Sequence, residues 1–389
     1  MKHHYGWLPD HHLGVAATLA HADQVISEAA GIIHEYQSQA EGIFRLEEVP
    51  VVTYSETVVT SIAPIPRKVP LLVADALVSL RNAVEHTIFA EVEHRDGALD
   101  PKAARLVEMP ASMTYDDFQE WIKRRHKNGP LSLRADSDLV SRIDRLQPYQ
   151  RKRDPENHPM ALLALHTNYS KHRAPAITAV RLGAIHREDQ SPPSMADLRR
   201  LPEVPLHVGD VIARTPRGTQ IPVALFPTVG INRPGTERWP VLLKELEELS
   251  IWVRTQAVPR LITGVEPPMP ALPARYDIDV GHDDERQALS NGSTVSATER
   301  HRERIGAAFA RLDMVEILAE MKDAPSSEQL AAWLDSLGDR ELVNRMGQLQ
   351  MTTNYEPSIV YSNLAALERM LDDARHFSGM PDDQGRGPL

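Results

Sequence analysis

The 389-residue chain contains no cysteine, which excludes disulfide bonds and thiolate metal sites. It also has no uncharged apolar run of about 18 residues, the length that a membrane-spanning helix needs. The first residues, MKHHYGWLPDHHLG, lack the apolar region of a secretory signal. Together these absences predict a cytoplasmic protein that does not enter a membrane.

The composition is otherwise that of a globular protein, with 42% hydrophobic and 25% charged residues. The net charge of −11 argues against indiscriminate binding to nucleic acid. The charge is uneven, however. Residues 121–187 hold fourteen Lys and Arg against five Asp and Glu, whereas residues 274–389 hold twelve against twenty-one. The basic middle favours a local anion-binding surface, although charges scattered over a solvated face explain it equally well.

Hydrophobic periodicity predicts a mainly α fold. Apolar residues recur at helical spacing in residues 12–40, 70–94, 137–146, 161–172 and 239–258. Two intervening segments, at about 43–66 and 176–232, are rich in β-branched residues and turn signals. We therefore expect residues 1–265 to form a helical bundle with β insertions at two connections.

A proline-rich stretch predicts the end of that bundle. Five prolines fall between Pro259 and Pro273, so we expect a stiff linker at 266–290. Residues 291–378 contain three or four further helical patterns and are predicted to form a separate C-terminal helical domain. The last residues, 379–389, are predicted to be disordered.

The second long helix carries an unusual polar ridge. At 100° per residue, one narrow stripe holds apolar side chains and is expected to be buried: Val73, Leu77, Leu80, Val84 and Ile88. A second apolar edge, about 120° away, holds Leu71, Val78 and Phe89, and polar residues line it: Asp75, Ser79, Asn82 and His86. Such a ridge is costly to bury unless its groups are paired, so it favours a cleft or a contact with a second copy of the helix.

The same helix carries a family resemblance. Arg81-Asn82-Ala83-Val84-Glu85-His86 resembles the motif of the HEPN superfamily, an arginine, a polar residue, spacers and a histidine. VADALVSLRNAVEH is similar to a stretch written roughly as GDALHNLRSALDH in a group of uncharacterised bacterial proteins that also carry LQPY and N-x-x-DKHR. This chain has LQPY at 146–149 and NYSKHR at 168–173, with Ser170 in place of the group's aspartate and Ala74 in place of its glycine. The resemblance covers about residues 60–260.

The resemblance implies a HEPN-like bundle and a metal-independent endoribonuclease that acts as a dimer through the motif helix, such as a toxin or an antiviral defence effector. His86 would act as general acid and base, while Arg81 and Asn82 would hold the phosphate. Lys171, His172 and Arg173 would add contacts to the phosphates of the RNA or supply a second proton carrier. Neither a cofactor nor a metal is expected. The resemblance does not extend beyond about residue 265, and we expect the acidic C-terminal domain to be a regulatory module or to bind a protein partner.

Other interpretations of these residues remain open. The ridge would also suit a non-catalytic dimeric scaffold or a module that binds a nucleotide or a protein, and in a third reading the C-terminal domain is the active part. Arg81 and Glu85 are spaced to bridge each other on the helix surface. His86 would then be a structural histidine, and Lys171–Arg173 a basic helix end favoured by the dipole. Histidines 3, 4, 11 and 12 have no spaced carboxylates nearby, so a flexible terminus is expected there rather than a metal site.

Overall fold

The computed structural model describes residues 5–187, 201–219, 223–264, 268–350 and 355–377. The chain divides into two compact units, residues 1–188 with 200–298 and residues 189–199 with 299–389. Helix predominates in both, which confirms the mainly α prediction. None of the helices in the described part of the chain is long and apolar enough to cross a membrane.

The first unit is a helical bundle with two small sheets. Its helices are α1 (Leu13–Gln37), α2 (Lys68–Asp96), α3 (Pro101–Ala104), α4 (Tyr115–Arg125), α5 (Asp138–Asp144), α6 (Pro159–His172), α7 (Leu242–Trp252), α8 (Val258–Thr263) and α9 (Glu285–Ser290). A π-helical turn, Val253–Ala257, joins α7 directly to α8. The β insertions lie where the sequence predicts them.

The two sheets are antiparallel. The strands are β1 (Phe44–Pro50), β2 (Tyr54–Ile62), β3 (Thr178–Arg187), β4 (Val211–Pro216) and β5 (Val223–Ile231). One sheet has the order β1-β2-β4, and the other pairs β3 with β5. The first β insertion is therefore joined to the second by the β2–β4 pairing.

Helix α2 is the central element of the bundle and packs most extensively on α1. All five side chains of its predicted core stripe are buried, which confirms the helical-wheel assignment. Gly97 ends the helix with a φ of 80°, a conformation that glycine adopts without the Cβ penalty. Helices α1, α6, α7 and α8 surround most of α2, and one narrow face along its length stays exposed.

Contacts between side chains show in which direction the helices around α2 run. His166 of α6 meets Glu245 near the start of α7, and His158 at the start of α6 meets Trp252 at the end of α7, so these two helices are antiparallel. The end of α8 lies near the end of α2, because Arg142 bonds to the Leu261 carbonyl and lies beside Glu91. Helix α6 is therefore also antiparallel to α2.

The proline-rich segment differs from the predicted linker. Described residues from 268 to 298 belong to the first unit, and Leu272, Tyr276 and Leu289 are buried in its core. The hydroxyl of Tyr5 and the ring N–H of Trp7 donate hydrogen bonds to backbone carbonyls of this segment. The unit boundary therefore lies at 298/299 rather than near 265 or 291, because apolar residues between the prolines pack on the bundle.

The second unit is helical, as predicted. It contains most of α10 (Ala297–Ala319), together with α11 (Ser327–Ser336), α12 (Asp339–Met346) and α13 (Pro357–Arg375). Trp333, Leu330 and Met314 are among the residues of its own small core. The predicted disordered tail, 379–389, lies outside the described residues.

Candidate functional site

The exposed face of α2 carries the histidine and asparagine of the motif. We use the name α2 face for Leu71, Asp75, Val78, Asn82 and His86, all of which are exposed. Leu71 and Val78 are 51% and 37% exposed, which is unusual for apolar residues in the middle of a bundle helix. Three residues of the predicted polar ridge, Asp75, Asn82 and His86, therefore lie on the surface beside two exposed apolar side chains, whereas Ser79 is half-buried.

The side chains of His86 and Asn82 have no hydrogen-bond partner in the part of the chain that the structure describes. His86 is thus not a buried structural histidine in this chain, and its ring is open to an external partner. The asparagine lies one helical turn before it, at a spacing that places both side chains on one face.

Arg81, by contrast, is held inside the fold. Its Nε donates to Glu85 Oε1 at 2.7 Å, and its Nη2 donates to the Met109 carbonyl at 2.5 Å. Glu85 Oε2 accepts in turn from the Met109 backbone N–H at 2.7 Å. The pair therefore fastens the segment around Met109 to α2, and the i,i+4 bridge suggested by the sequence is present.

Arg81 and His86 do not share an environment within one chain. The guanidinium lies only 19% exposed between Glu85, Met109 and Met160, whereas the imidazole is exposed on the α2 face. The predicted convergence of the two groups on one phosphate is therefore absent from the single chain. The role of Arg81 as a phosphate ligand finds no support in these contacts.

The basic end of α6 lies away from His86. Lys171, His172 and Arg173 are all exposed, and Arg173 lies 5.9 Å from the centre of the Tyr169 ring. Met160 near the start of α6 contacts Arg81, and the antiparallel α6 then runs toward the start of α2. The basic end is about 17 Å further along that direction, at 1.5 Å per residue. These cations and His86 therefore do not form one pocket within a chain.

Ser170 occupies the position of the group's aspartate. Its hydroxyl donates to the Thr167 carbonyl at 3.2 Å, a bond within the same helix. The residue is half-buried. It contributes no charge to the basic end.

A cluster that the sequence analysis missed joins the start of the chain to α2. His11 and His12 belong to a 3-10 turn, Asp10–His12, and lie against Glu91 of α2. His12 Nε2 is 2.8 Å from Glu91 Oε1, and His11 Nε2 is 3.7 Å from the same oxygen. One possible ligand atom from each of the three residues lies within 4.8 Å of the others. The expectation of a flexible terminus without a carboxylate is wrong for His11 and His12, while His3 and His4 lie outside the described residues.

Charged neighbours set the ionisation of this cluster. Burial alone would raise the pKa of Glu91, but hydrogen bonds from His12 and Arg95 outweigh it and lower that pKa. Burial, with the adjacent imidazoles of His12 and His94, lowers the pKa of His11. The cluster therefore combines an ionised carboxylate with imidazoles, the donor types that transition metals bind.

A second histidine–glutamate pair lies between α6 and α7. His166 Nε2 is 3.4 Å from Glu245 Oε1, and both residues are buried. Arg233 binds both oxygens of Glu245, at 2.8 Å and 2.7 Å. Burial alone would raise the pKa of Glu245, but the bonds from His166 and Arg233 lower it.

The Arg233–Glu245 pair borders a polar cleft of about 410 Å³. Arg181, Arg238 and Lys244 line it with Glu203 and Glu248, and their ion pairs are long, between 3.7 and 4.0 Å. Because cations and carboxylates nearly balance there, the cleft has no strong preference for one charge.

The histidine–glutamate clusters could not be found from sequence spacing. Glu91 is 79 residues from His12, and Glu245 is 79 residues from His166. The only local signal was the His11-His12 pair itself.

Comparisons of this chain with protein families, with curated proteins and with solved structures found no match.

Proposed function

We propose that this protein is a HEPN-type endoribonuclease that uses the α2 face as its working surface and acts as a pair of chains. The observation that carries the proposal is the exposed His86 with Asn82 one turn before it, on a helix that is otherwise built into the core. An exposed histidine that no described residue binds is available to move protons of a bound substrate.

The chemistry requires no metal. His86 takes the proton of an RNA 2′-hydroxyl, whose oxygen attacks the neighbouring phosphorus. The bond to the 5′-oxygen breaks, and that leaving oxygen takes from His86 the proton removed from the 2′-hydroxyl, which gives a cyclic 2′,3′-phosphate and a free 5′-hydroxyl. Asn82 donates a hydrogen bond to a phosphate oxygen or fixes the tautomer of His86.

Arg81 has a different role in this proposal from the one that the resemblance implies. Since its guanidinium is bound to Glu85 and to the Met109 carbonyl, it is a positioning residue that holds α2 in place. Lys171, His172 and Arg173 would contact phosphates several nucleotides from the bond that is cut, because they lie toward the other end of α2.

A second candidate function rests on the two apolar residues of the α2 face. Leu71 and Val78 are exposed beside Asn82 and His86, and a surface of this mixed character also suits the pairing of two helices without catalysis. In that case the α2 face is a non-catalytic dimer contact.

Cleavage of a labelled single-stranded RNA in the presence of EDTA tests the first proposal. We expect the full chain to cut, and His86→Ala to lower the rate by about 100-fold or more, the usual contribution of a general acid or base. His21→Ala, which removes an exposed histidine from α1, is the matched control and should cut normally.

The outcomes separate the two candidates. Equal cutting by the His86→Ala variant rules out the catalytic proposal. If no preparation cuts RNA, but Val78→Asp converts a dimer to a monomer on a sizing column, the non-catalytic contact remains.

A further inference from the structure

The cluster at the start of the bundle has the composition of a metal centre rather than of a simple ion pair. It holds two imidazoles and one carboxylate from two separate elements, the 3-10 turn at Asp10–His12 and helix α2. A single His–Glu hydrogen bond would need only His12. The second imidazole, His11, points its Nε2 at the same carboxylate oxygen from 3.7 Å, too far for a hydrogen bond.

We propose that His11, His12 and Glu91 bind one divalent transition-metal ion, best suited to Zn²⁺, with a fourth position open to solvent. Two imidazole nitrogens and a carboxylate oxygen form a common three-ligand zinc set, and water takes the remaining position. The site lies apart from the α2 face, because Glu91 is five residues after His86 and about 140° around the helix.

The distances suit such an ion. With metal–ligand bonds of about 2.0–2.1 Å, the ligand atoms of a tetrahedral site lie about 3.3 Å from one another. The separation from Glu91 Oε1 is 2.8 Å for His12 Nε2 and 3.7 Å for His11 Nε2, so the two values fall on either side of that spacing. Shifts of about half an ångström would bring both nitrogens into position.

The carboxylate is already oriented for this role. Arg95 donates to Glu91 Oε2 at 3.1 Å and 3.0 Å, which leaves Oε1 directed at the two imidazoles. Asp138 pairs with both Arg95 and Arg142 and offsets part of their positive charge. Partners of this kind, which hold the outer atom of a ligand, tune and fix metal sites.

The imidazoles differ in access. The side chain of His12 is fully buried, whereas that of His11 is 29% exposed, so solvent reaches the site from the His11 side. The ring of His94 stacks on His11 with centroids 4.3 Å apart and holds its plane. Nδ1 of His12 is buried and has no hydrogen-bond partner in the described part of the chain, so this ligand lacks the outer support usual in the tightest zinc sites.

Metal titration of the full chain tests this proposal. After treatment with EDTA and dialysis, we expect calorimetry with Zn²⁺ to give one site per chain and Co²⁺ to give the intense visible absorption of a four-coordinate ion. His11→Ala should weaken Zn²⁺ binding by about 100-fold or more, since removal of an outer partner alone costs 10–100-fold. The exposed position of His11 allows this variant to fold.

Two controls locate the ion. His94→Ala removes a ring that contacts His11 without being a ligand, and binding should fall by less than about tenfold. The double variant His3→Ala with His4→Ala, which removes the other histidine pair of the N-terminal sequence, should bind Zn²⁺ as the parent chain does. Absence of Zn²⁺ binding by the parent chain, unchanged binding by His11→Ala, or loss of binding in the His3/His4 variant would each overturn the proposal.

Discussion

The two histidine–glutamate pairs of the first unit contain the same residue types, but they differ in how many carboxylate oxygens an arginine binds. Glu245 meets the guanidinium of Arg233 with both oxygens, and His166 approaches one of them from 3.4 Å. Glu91 gives one oxygen to Arg95 and directs the other at His12 and His11. One pair is closed by a bidentate cation, and the other keeps an oxygen in contact with two imidazoles, of which His11 is partly exposed.

The difference shows that burial of a carboxylate does not by itself indicate function. A carboxylate that a bidentate arginine holds by both oxygens is fixed in position, and such a pair holds elements together. The Arg233–Glu245 pair accordingly connects the loop after β5 to α7. The ionised oxygen of Glu91 between two imidazoles still has lone pairs that no arginine occupies, so the same residue types there suit the binding of a cation.

Removal of the Glu245 charge should have the largest effect. Glu245→Gln leaves the buried guanidinium of Arg233 without a counter-charge, and breaking a buried ion pair in this way costs about 3–5 kcal/mol. Urea unfolding followed by circular dichroism measures the free energy of unfolding. Glu248→Gln, on the exposed side of α7, is the control and should change it by less than about 0.5 kcal/mol. A Glu245→Gln variant as stable as the control would contradict the structural role.

The matching substitution at Glu91 should cost less. Glu91→Gln leaves Arg95 and Arg142 paired with Asp138, so we expect a loss of about 1–3 kcal/mol in the free energy of unfolding, the range for hydrogen bonds to charged groups. The same urea experiment measures it. If Glu91→Gln destabilises the chain as much as Glu245→Gln does, Glu91 is a structural residue and the contrast between the two pairs is lost.

Local sequence patterns predicted helix α2 well and its polar contacts poorly. The stripe from Val73 to Ile88 is buried as the 3.6-residue period requires, and Arg81 does bridge Glu85. The carbonyl of Met109, which completes the Arg81 clamp, is 28 residues away and carries no pattern of its own. Contacts between elements depend on packing register, which periodicity within one helix does not specify.

The proline-rich segment is a second case in which the sequence pattern did not predict a contact between elements. Its composition predicted a linker, because proline prevents regular structure. In the fold, Leu272 and Tyr276 between and after those prolines are buried in the bundle core. A few apolar side chains at suitable positions are sufficient to dock an irregular segment, and composition averages over them.

The smallest expected effect concerns the pH at which the two pairs lose their contribution to stability. The pKa values of Glu91 and Glu245 are lowered in the folded chain, so their contribution is present above the unfolded value near 4.5 and is lost as the pH falls through the lowered values. A third group, His158, also loses its contribution to stability when the pH falls, so its effect overlaps with that of the two glutamates. Its Nδ1 accepts from the Met160 backbone N–H at 3.1 Å and caps α6.

Burial, with a smaller contribution from Arg151, lowers the pKa of His158 to about 4 from its usual 6.5. The stability contributed by this neutral ring is complete above pH 6.5 and is lost as the pH falls toward about 4, because the unfolded chain takes up the proton first. His158→Asn keeps a capping oxygen and removes the titration. The free energy of unfolding, measured with urea, should then fall less steeply as the pH is lowered over this range. The difference should be less than about 1 kcal/mol in total, because the ring is partly exposed. The loss of stability below about pH 4.5, which comes from the glutamates, should remain. The control His21→Asn should leave the dependence of stability on pH unchanged. If His158→Asn and the parent chain lose stability equally between pH 6.5 and 4.5, groups other than His158 cause the loss in that range.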